Sequence, residues 1–174
     1  MLSFVLHERL LRAPWLNQFA FDQGQTLAMF AAKLLVGRKQ EYKMSAEENR
    51  KIVEQFYAAS NSGDMDTCFE LIADNIKWTN IGSTMFSGTF QGKAELQEKL
   101  LGLLFAQLKQ GIRSTVHRLV AENDYVVAQT SGVAETLDGR PYNNTYCWII
   151  KLEGGKFIEV TEYMDTELIS SVLG

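Results

Sequence analysis

The stretch FYAASNSGDMDTCFELIADNIKWTN, residues 56–80, is the most informative about the fold. It begins on the apolar face of a helix that Ser45 and Glu48 open as a capping box, Ser-x-x-Glu. Gly63 can adopt the left-handed geometry that ends such a helix, and Asp64 is suited to cap a second, short one. The last five residues of the stretch alternate between apolar and polar, which predicts a strand. The stretch therefore predicts helix, turn, helix and strand.

The rest of the chain extends this pattern outward. We expect the second helix to end at 73–75 and the first strand to cover 76–80, followed by a Gly-rich turn region. Leucines at helical spacing predict a third helix over 93–108. Period-two patterns separated by Gly, Asn and Asp then predict four hairpin-connected strands, at about 112–121, 125–136, 143–152 and 156–165. This order indicates an α+β fold in which a curved antiparallel sheet wraps around three N-terminal helices as a cone.

Composition excludes several classes of protein. The 174 residues carry a net charge of −4 and no basic stripe, which argues against a nucleic-acid partner. Two cysteines, Cys68 and Cys147, suggest a reducing compartment, so we expect a cytoplasmic protein. With two histidines and no metal-ligand run or nucleotide loop, the sequence predicts neither a metal nor a cofactor.

Charge divides the chain into two unequal parts. Residues 1–43 carry a net charge of +3 and residues 44–174 a net charge of −7, which predicts an N-terminal extension before the domain. The apolar run 27–36 is short and contains Lys33, so no membrane span is expected. Two hypotheses stay open for the extension: an amphipathic helix that docks on the domain or a partner, and an upstream translation product that precedes Met44.

Two motifs resemble the NTF2-like superfamily, which includes SnoaL-like and ketosteroid-isomerase-like proteins. The first is the stretch 56–80, and the second is GKFIEVTEYMD at 155–165, which is similar to the closing strand of these proteins. The resemblance covers about 46–170. It implies a cone with a pocket for an apolar or aromatic small molecule, and a homodimer formed through the outer face of the sheet. The function does not follow from it, because this fold hosts isomerases, cyclases, epoxide hydrolases and plain binders.

Strand registers indicate which side chains line the pocket. In the last strand, Glu162 shares an otherwise apolar register with Ile158, Val160 and Met164, whereas Phe157 falls in the opposite register. A carboxylate in an apolar register is unusual because its burial is costly unless it is paired or protonated. Glu162 is therefore the main catalytic candidate, as an acid or base. The candidate ligand contacts are Phe56, Tyr57, Trp78, Tyr146, Trp148 and Met164; Asn80 and His117 are further catalytic candidates.

The chemistry of individual relatives transfers only in part. The three ketosteroid-isomerase positions, by resemblance, hold Asn80, Phe56 and about Trp148, which cannot supply the base and the donors. The segment 78–80 and Glu162 resemble parts of the limonene-epoxide-hydrolase site, but residues 129–133 lack its arginine and aspartate. SnoaL-type cyclases use an acid/base carboxylate, often near a histidine, which resembles Glu162 and His117.

Three interpretations remain open from the sequence. The first is an enzyme, a lyase, isomerase or hydrolase, in which Glu162 is the acid/base and Asn80 positions substrate or water. The second is a non-catalytic binder of an apolar or aromatic ligand. The third is a dimerisation or interaction module that acts through the outer face of its sheet.

Overall fold

The structure, a computed structural model, describes residues 43–174. The sequence-based predictions for the N-terminal extension lie outside the described residues. In chain order the elements are α1 (Ala46–Ser62), α2 (Met65–Glu70), β1 (Ile72–Asn80), β2 (Gly88–Gln91), α3 (Lys93–Glu95), a π-helical stretch (Leu96–Leu101), α4 (Gly102–Phe105), β3 (Arg113–Glu122), β4 (Tyr125–Glu135), β5 (Pro141–Glu153), β6 (Lys156–Met164) and α5 (Thr166–Leu173). No helix within residues 43–174 is long and apolar enough to cross a membrane.

The predicted start and end of α1 and the predicted start of α2 are confirmed. Ser45 and Glu48 form a reciprocal capping box at the start of α1, and Gly63 ends it with φ of 80°. The Asp64 side chain accepts a hydrogen bond from the Thr67 N–H and so caps α2. These short-range interactions fix where α1 ends, and α1 covers the sheet over which the site is built.

Six strands form one curved sheet in the order β2-β1-β6-β5-β4-β3. All neighbouring pairs are antiparallel except β1 and β6, which run parallel. The α+β prediction with a curved sheet is therefore confirmed, but the parallel pairing of β1 with β6 departs from the predicted antiparallel arrangement. The sequence could not show it, because the two parallel strands lie about 80 residues apart in the chain.

Three element boundaries were predicted wrongly. The boundary between α2 and β1 lies earlier than predicted: α2 ends at Glu70 rather than at 73–75, and β1 begins at Ile72 rather than at 76, because Ile72 already pairs with Phe157 of β6. Part of the Gly-rich region, predicted as turns, forms the short strand β2 along β1. The third helical segment ends at Phe105 rather than 108, because Leu108 pairs with Thr136 in a β-bridge instead.

A β-bulge in β6 changes which side chains face the core. The pairing with β5 shifts between Lys151, opposite Glu159, and Leu152, opposite Phe157, so that Ile158 is the extra residue. Phe157 is therefore fully buried and packs on Phe56 with ring centroids 5.1 Å apart. The prediction that Ile158 rather than Phe157 faces the pocket is wrong for this reason, whereas Val160 and Glu162 follow the predicted register.

We expect Phe157→Ala to destabilise the protein by about 3–5 kcal/mol, since it removes a fully buried ring and leaves a cavity in the core. Ile158→Ala is the matched control, and it should cost less than half as much because Ile158 is only partly buried. Urea unfolding of both variants measures the difference. Equal costs, or a larger cost for Ile158→Ala, would contradict the bulge.

Candidate functional site

A cavity of about 1290 Å³ opens on the concave side of the sheet, beneath α1 and the third helical segment. Its wall includes Leu100 and Leu101 of the π-helical stretch, a form of helix that is rare and often found at functional sites. The wall also contains all the candidate ligand contacts and two of the three catalytic candidates: Phe56, Tyr57, Trp78, Asn80, Tyr146, Trp148, Glu162 and Met164. The side chains that the strand registers and the first helix predicted to line a pocket therefore line one cavity.

Glu162 lies in the middle of this wall. On β6 it is paired with Asn80 of β1 on one side and with Trp148 of β5 on the other. The indole Nε1–H of Trp78 donates to the Asn80 Oδ1 at 2.9 Å and to the Glu162 Oε2 at 3.2 Å. One indole thus links both polar side chains, and the Glu162 residue is only 8% exposed.

Burial raises the pKa of Glu162 from 4.5 to about 7, because the apolar wall disfavours the charged form. The indoles of Trp78 and Trp148 act in the opposite direction and limit the rise. No charged side chain of the described residues contributes to the shift of this pKa. Near neutral pH the carboxyl therefore exists in both protonation states, as a group that transfers protons must.

Aromatic rings enclose the carboxyl. Trp78 and Trp148 meet edge to face with ring centroids 4.9 Å apart, and Trp148 also packs against Phe56 at 5.9 Å and Tyr57 at 5.5 Å. Such rings are rigid and apolar and offer flat surfaces to a ring-containing ligand. The rings thus bury most of the Glu162 side chain and can hold an apolar molecule beside it.

A second polar group in the wall is built from tyrosines. The Tyr146 hydroxyl donates to the Tyr142 hydroxyl at 3.3 Å, which also accepts from the Asn144 Nδ2 at 3.2 Å. Asn144 in turn exchanges two hydrogen bonds with the backbone of Asp165, at the start of α5. Burial raises the pKa of both tyrosines, so their hydroxyls stay protonated.

Two buried polar atoms lack a hydrogen-bond partner among residues 43–174: the Tyr57 hydroxyl and the Trp148 Nε1. Thr130 lies close enough to the Tyr57 hydroxyl to lower the pKa of Tyr57, and the Trp148 indole lies close enough to Glu162 to lower the pKa of Glu162. Neither pair, however, has the geometry of a hydrogen bond. Burial nevertheless raises the pKa of Tyr57 well above its usual value. Both side chains belong to the cavity wall.

The structure does not bring His117 to this site. Its side chain is exposed, its Nε2 lies 2.9 Å from the Ser131 Oγ, and it is absent from the cavity wall. The pairing of β3 with β4 shifts between Val116 and Arg118, which places His117 at a bulge. An alternating pattern cannot assign a bulged residue to a face, so the sequence left its side open. The structure gives no support to a His117–Glu162 pair.

Tyr142 and Thr130 of the wall, and Gly132 beneath it, were not predicted from the sequence. Tyr142 lies before the predicted start of its strand, which begins at Pro141; extending the alternation back from Tyr146 would have found it. Thr130 and Gly132 on β4 gave no signal of their own. A Cβ on Gly132 would lie 2.9 Å from the Tyr146 ring, so this glycine makes room for the ring over the sheet.

The site is chemically simple. It holds one carboxyl that can exchange a proton near neutral pH, one amide beside it, and several N–H and O–H donors within an apolar wall. Among the described residues no group of three His, Cys, Asp or Glu side chains could hold a metal ion. The arrangement suits binding of a small apolar molecule with a proton transfer at Glu162.

Comparison with solved structures places this geometry in a known fold. Bal32a, from a soil-derived mobile gene cassette, is 24% identical with a TM-score of 0.64 over 74% of this chain and 96% of its own. TerC co-crystallised with polyporic acid is 19% identical, TM-score 0.64, over 72% and 98%. A Mycobacterium tuberculosis LEH-like epoxide hydrolase is 19% identical, TM-score 0.59, over 74% and 91%.

These identities are low, and the likenesses show a shared fold rather than a shared activity. No curated protein matches the chain. A family model described as the SnoaL-like domain matches residues 53–160, from the middle of α1 to the middle of β6. The matched range includes most of the cavity wall and ends two residues before Glu162. The cone, its cavity and this match together establish that the chain belongs to the SnoaL-like domain family.

Proposed function

We propose that this protein is an enzyme that transfers a proton on an apolar, ring-containing small molecule, with Glu162 as general base and general acid. The observation that carries this proposal is the carboxyl itself, buried in an aromatic cavity wall without a countercharge among the described residues, with its pKa raised to about 7. A group poised near the working pH can both take up and return a proton. Structural relatives that include an epoxide hydrolase and a protein crystallised with polyporic acid are compatible with this proposal.

The step we propose needs no further reactant. The ionised carboxyl of Glu162 takes a proton from a C–H or O–H group of the bound molecule, and the same carboxyl returns that proton to another atom of it. The Trp78 Nε1–H holds the Oε2 in place, and the Asn80 side chain positions the substrate beside it. This sequence of events corresponds to an isomerase or lyase.

A non-catalytic binder is the second candidate, and one observation favours it. Apart from Glu162, Lys109, Arg113 and Glu135 are the charged side chains of the described cavity wall, and all three are exposed or paired on the surface. Many acid/base sites use two groups, whereas this one has a single buried carboxyl. A binder uses Glu162 only to shape the cavity, so its ligand affinity should not change when the carboxyl becomes an amide.

The enzyme hypothesis predicts that the protein accelerates the ring opening of 5-nitrobenzisoxazole, an aromatic probe that reacts when a base removes its C3 proton. The base takes that proton, the N–O bond breaks, and 2-cyano-4-nitrophenolate is released and detected by its absorbance. The rate should rise with pH and level off above about 7, as Glu162 ionises. Glu162→Gln should lower the rate by about 100-fold.

Glu159→Gln is the matched control for this experiment. Glu159 lies on the same strand, but its side chain is 40% exposed and pairs with Lys77, so its loss should leave the rate unchanged. A rate that is the same in Glu162→Gln as in Glu159→Gln would exclude Glu162 as the base. The binder hypothesis would then take its place.

The buried carboxyl also predicts a pH dependence of stability. Below the unfolded pKa of 4.5 the carboxyl is protonated in both states; between 4.5 and about 7 only the unfolded state ionises, so the folded state loses stability as the pH rises. We expect the free energy of unfolding to fall by about 3 kcal/mol more in the wild type than in Glu162→Gln between pH 4 and 8. Urea unfolding across this range measures it, and parallel curves would contradict the buried, uncompensated carboxyl.

We further propose that two copies of the protein associate through the outer face of the sheet. Val120, Val127 and Ile149 are neighbours across three strands on that face, and Val120 is 56% exposed. An exposed apolar row of this kind is commonly covered by a partner.

We also propose that the protein resides in the cytoplasm, because the free thiols of Cys68 and Cys147 fit a reducing compartment.

The dimer proposal predicts that Ile149→Lys shifts the mass measured by light scattering from that of two chains to that of one. A charge placed on the apolar row cannot be buried between two copies without a large desolvation cost. Lys151→Glu, on the same face at a polar position, is the control and should not change the mass. A wild-type protein that is already monomeric at micromolar concentration would refute the proposal.

A further inference from the structure

The cavity extends from the buried Glu162 carboxyl to an open end where its wall is exposed. Glu162 is paired with Trp148 of β5, whereas two exposed residues of the wall, Val133 and Arg113, are aligned across β4 and β3 with Asn143 of β5. Asn143 lies five residues before Trp148 on the same strand, a distance of roughly 17 Å at the usual rise of a strand. A ligand that reaches from the carboxyl to the open end is therefore elongated.

The wall between these two ends is apolar. Tyr146 lies between Asn143 and Trp148 on β5, and its ring and the Ile112 side chain both lie over Gly132. Both side chains belong to the cavity wall and are buried or only partly exposed. An apolar chain or ring can follow this surface from Glu162 outward, because contact with it removes apolar area from water.

The charges at the open end leave one cation without a partner. Lys109 forms a salt bridge with Glu135, and the Lys109 backbone N–H donates to the Glu135 carbonyl at 2.9 Å, so these two charges balance each other. The Arg113 guanidinium is exposed and makes neither an ion pair nor a hydrogen bond within residues 43–174. Arg113 is therefore the free cation of the described cavity wall.

The backbone that carries Arg113 is held in a defined position. The next residue, Ser114, exchanges two hydrogen bonds with the Asn61 side chain, at 2.7 and 2.8 Å, which join the start of β3 to the end of α1. Residues 44–174 carry a net charge of −7, so the arginine is not part of a generally positive domain. A fixed, unpaired cation thus stands where an apolar cavity opens to solvent.

We propose that Arg113 binds a carboxylate at the outer end of an elongated apolar ligand whose ring lies beside Glu162. This rests on the proposed function in that the ligand occupies the same cavity, and it names the substrate class: an aromatic acid whose ring and carboxylate are joined by an apolar chain. The planar guanidinium presents paired N–H donors that match the two oxygens of a carboxylate. The separation of roughly 17 Å is about twice the Debye length at physiological salt, so the ligand carboxylate and an ionised Glu162 repel each other only weakly.

The test measures binding of 11-(dansylamino)undecanoic acid, in which an apolar chain joins a naphthalene ring to a carboxylate, and of its methyl ester. The dansyl fluorescence rises in an apolar cavity and reports binding of either compound. Because the ester is itself more apolar, the quantity compared is the ratio of acid affinity to ester affinity. We expect Arg113→Gln to weaken acid binding about three- to fivefold and to leave ester binding unchanged, as is usual for an exposed ion pair.

Two further variants separate a local contact from a general effect of charge. Glu135→Gln leaves Lys109 without its partner and should tighten acid binding about two- to threefold, with no change for the ester. Arg118→Gln is the matched control, because Arg118 is exposed on the same strand but lies outside the cavity wall, so the ratio should stay the same. All three residues are exposed, and each melting temperature should stay within about 2 °C of the wild type.

The outcomes distinguish this inference from the proposed function. A ratio that does not change in Arg113→Gln, or that falls as far in Arg118→Gln, would overturn the carboxylate subsite. A wild type that binds neither compound would overturn it as well, because an elongated aromatic acid is the class named. A ratio that depends on Arg113, with no effect of Glu162→Gln on 5-nitrobenzisoxazole, would support the subsite and refute the catalytic role of Glu162.

Discussion

The enclosure of the Glu162 carboxyl without a countercharge among residues 43–174 is the constraint around which the site is arranged. A carboxyl in such a place must be protonated or hydrogen-bonded, and the Trp78 indole supplies a bond that keeps it oriented without neutralising it. Asn80 shares that indole and so is held beside the carboxyl. The position of β6 between β5 and the parallel strand β1 brings these groups together, because Glu162 is paired with Asn80 on one side and with Trp148 on the other.

Much of this arrangement could be predicted from local patterns. The period-two alternation of β1 and β6 identified Trp78, Asn80 and Glu162 as one face, because an uninterrupted strand repeats its side-chain direction every two residues. The same rule failed at Ile158 and at His117, where the strand pairing shifts. A bulge depends on the partner strand rather than on the sequence around it, so alternation alone cannot reveal it.

The sequence alone could not show whether the inside of the cone is open. Whether the cone is open or filled is decided by the sizes of side chains that meet from distant elements, such as Leu100 of the π-helical stretch and Tyr146 of β5. Gly132 is an example, since its missing side chain is what allows the Tyr146 ring to lie over the sheet. Nothing near Gly132 in the sequence distinguishes it from a glycine that merely weakens a strand.

Glu162 and Tyr57 share a property that packing alone does not explain. Each would be less costly to bury as a residue of similar shape, glutamine or phenylalanine, and each lies in the wall of the same cavity. The buried polar side chains of Asn49, Asn144 and Tyr142, by contrast, are satisfied by hydrogen bonds within the protein. Where a fold meets its polar requirements almost everywhere, the places where it does not are the ones that selection for function has the strongest reason to maintain.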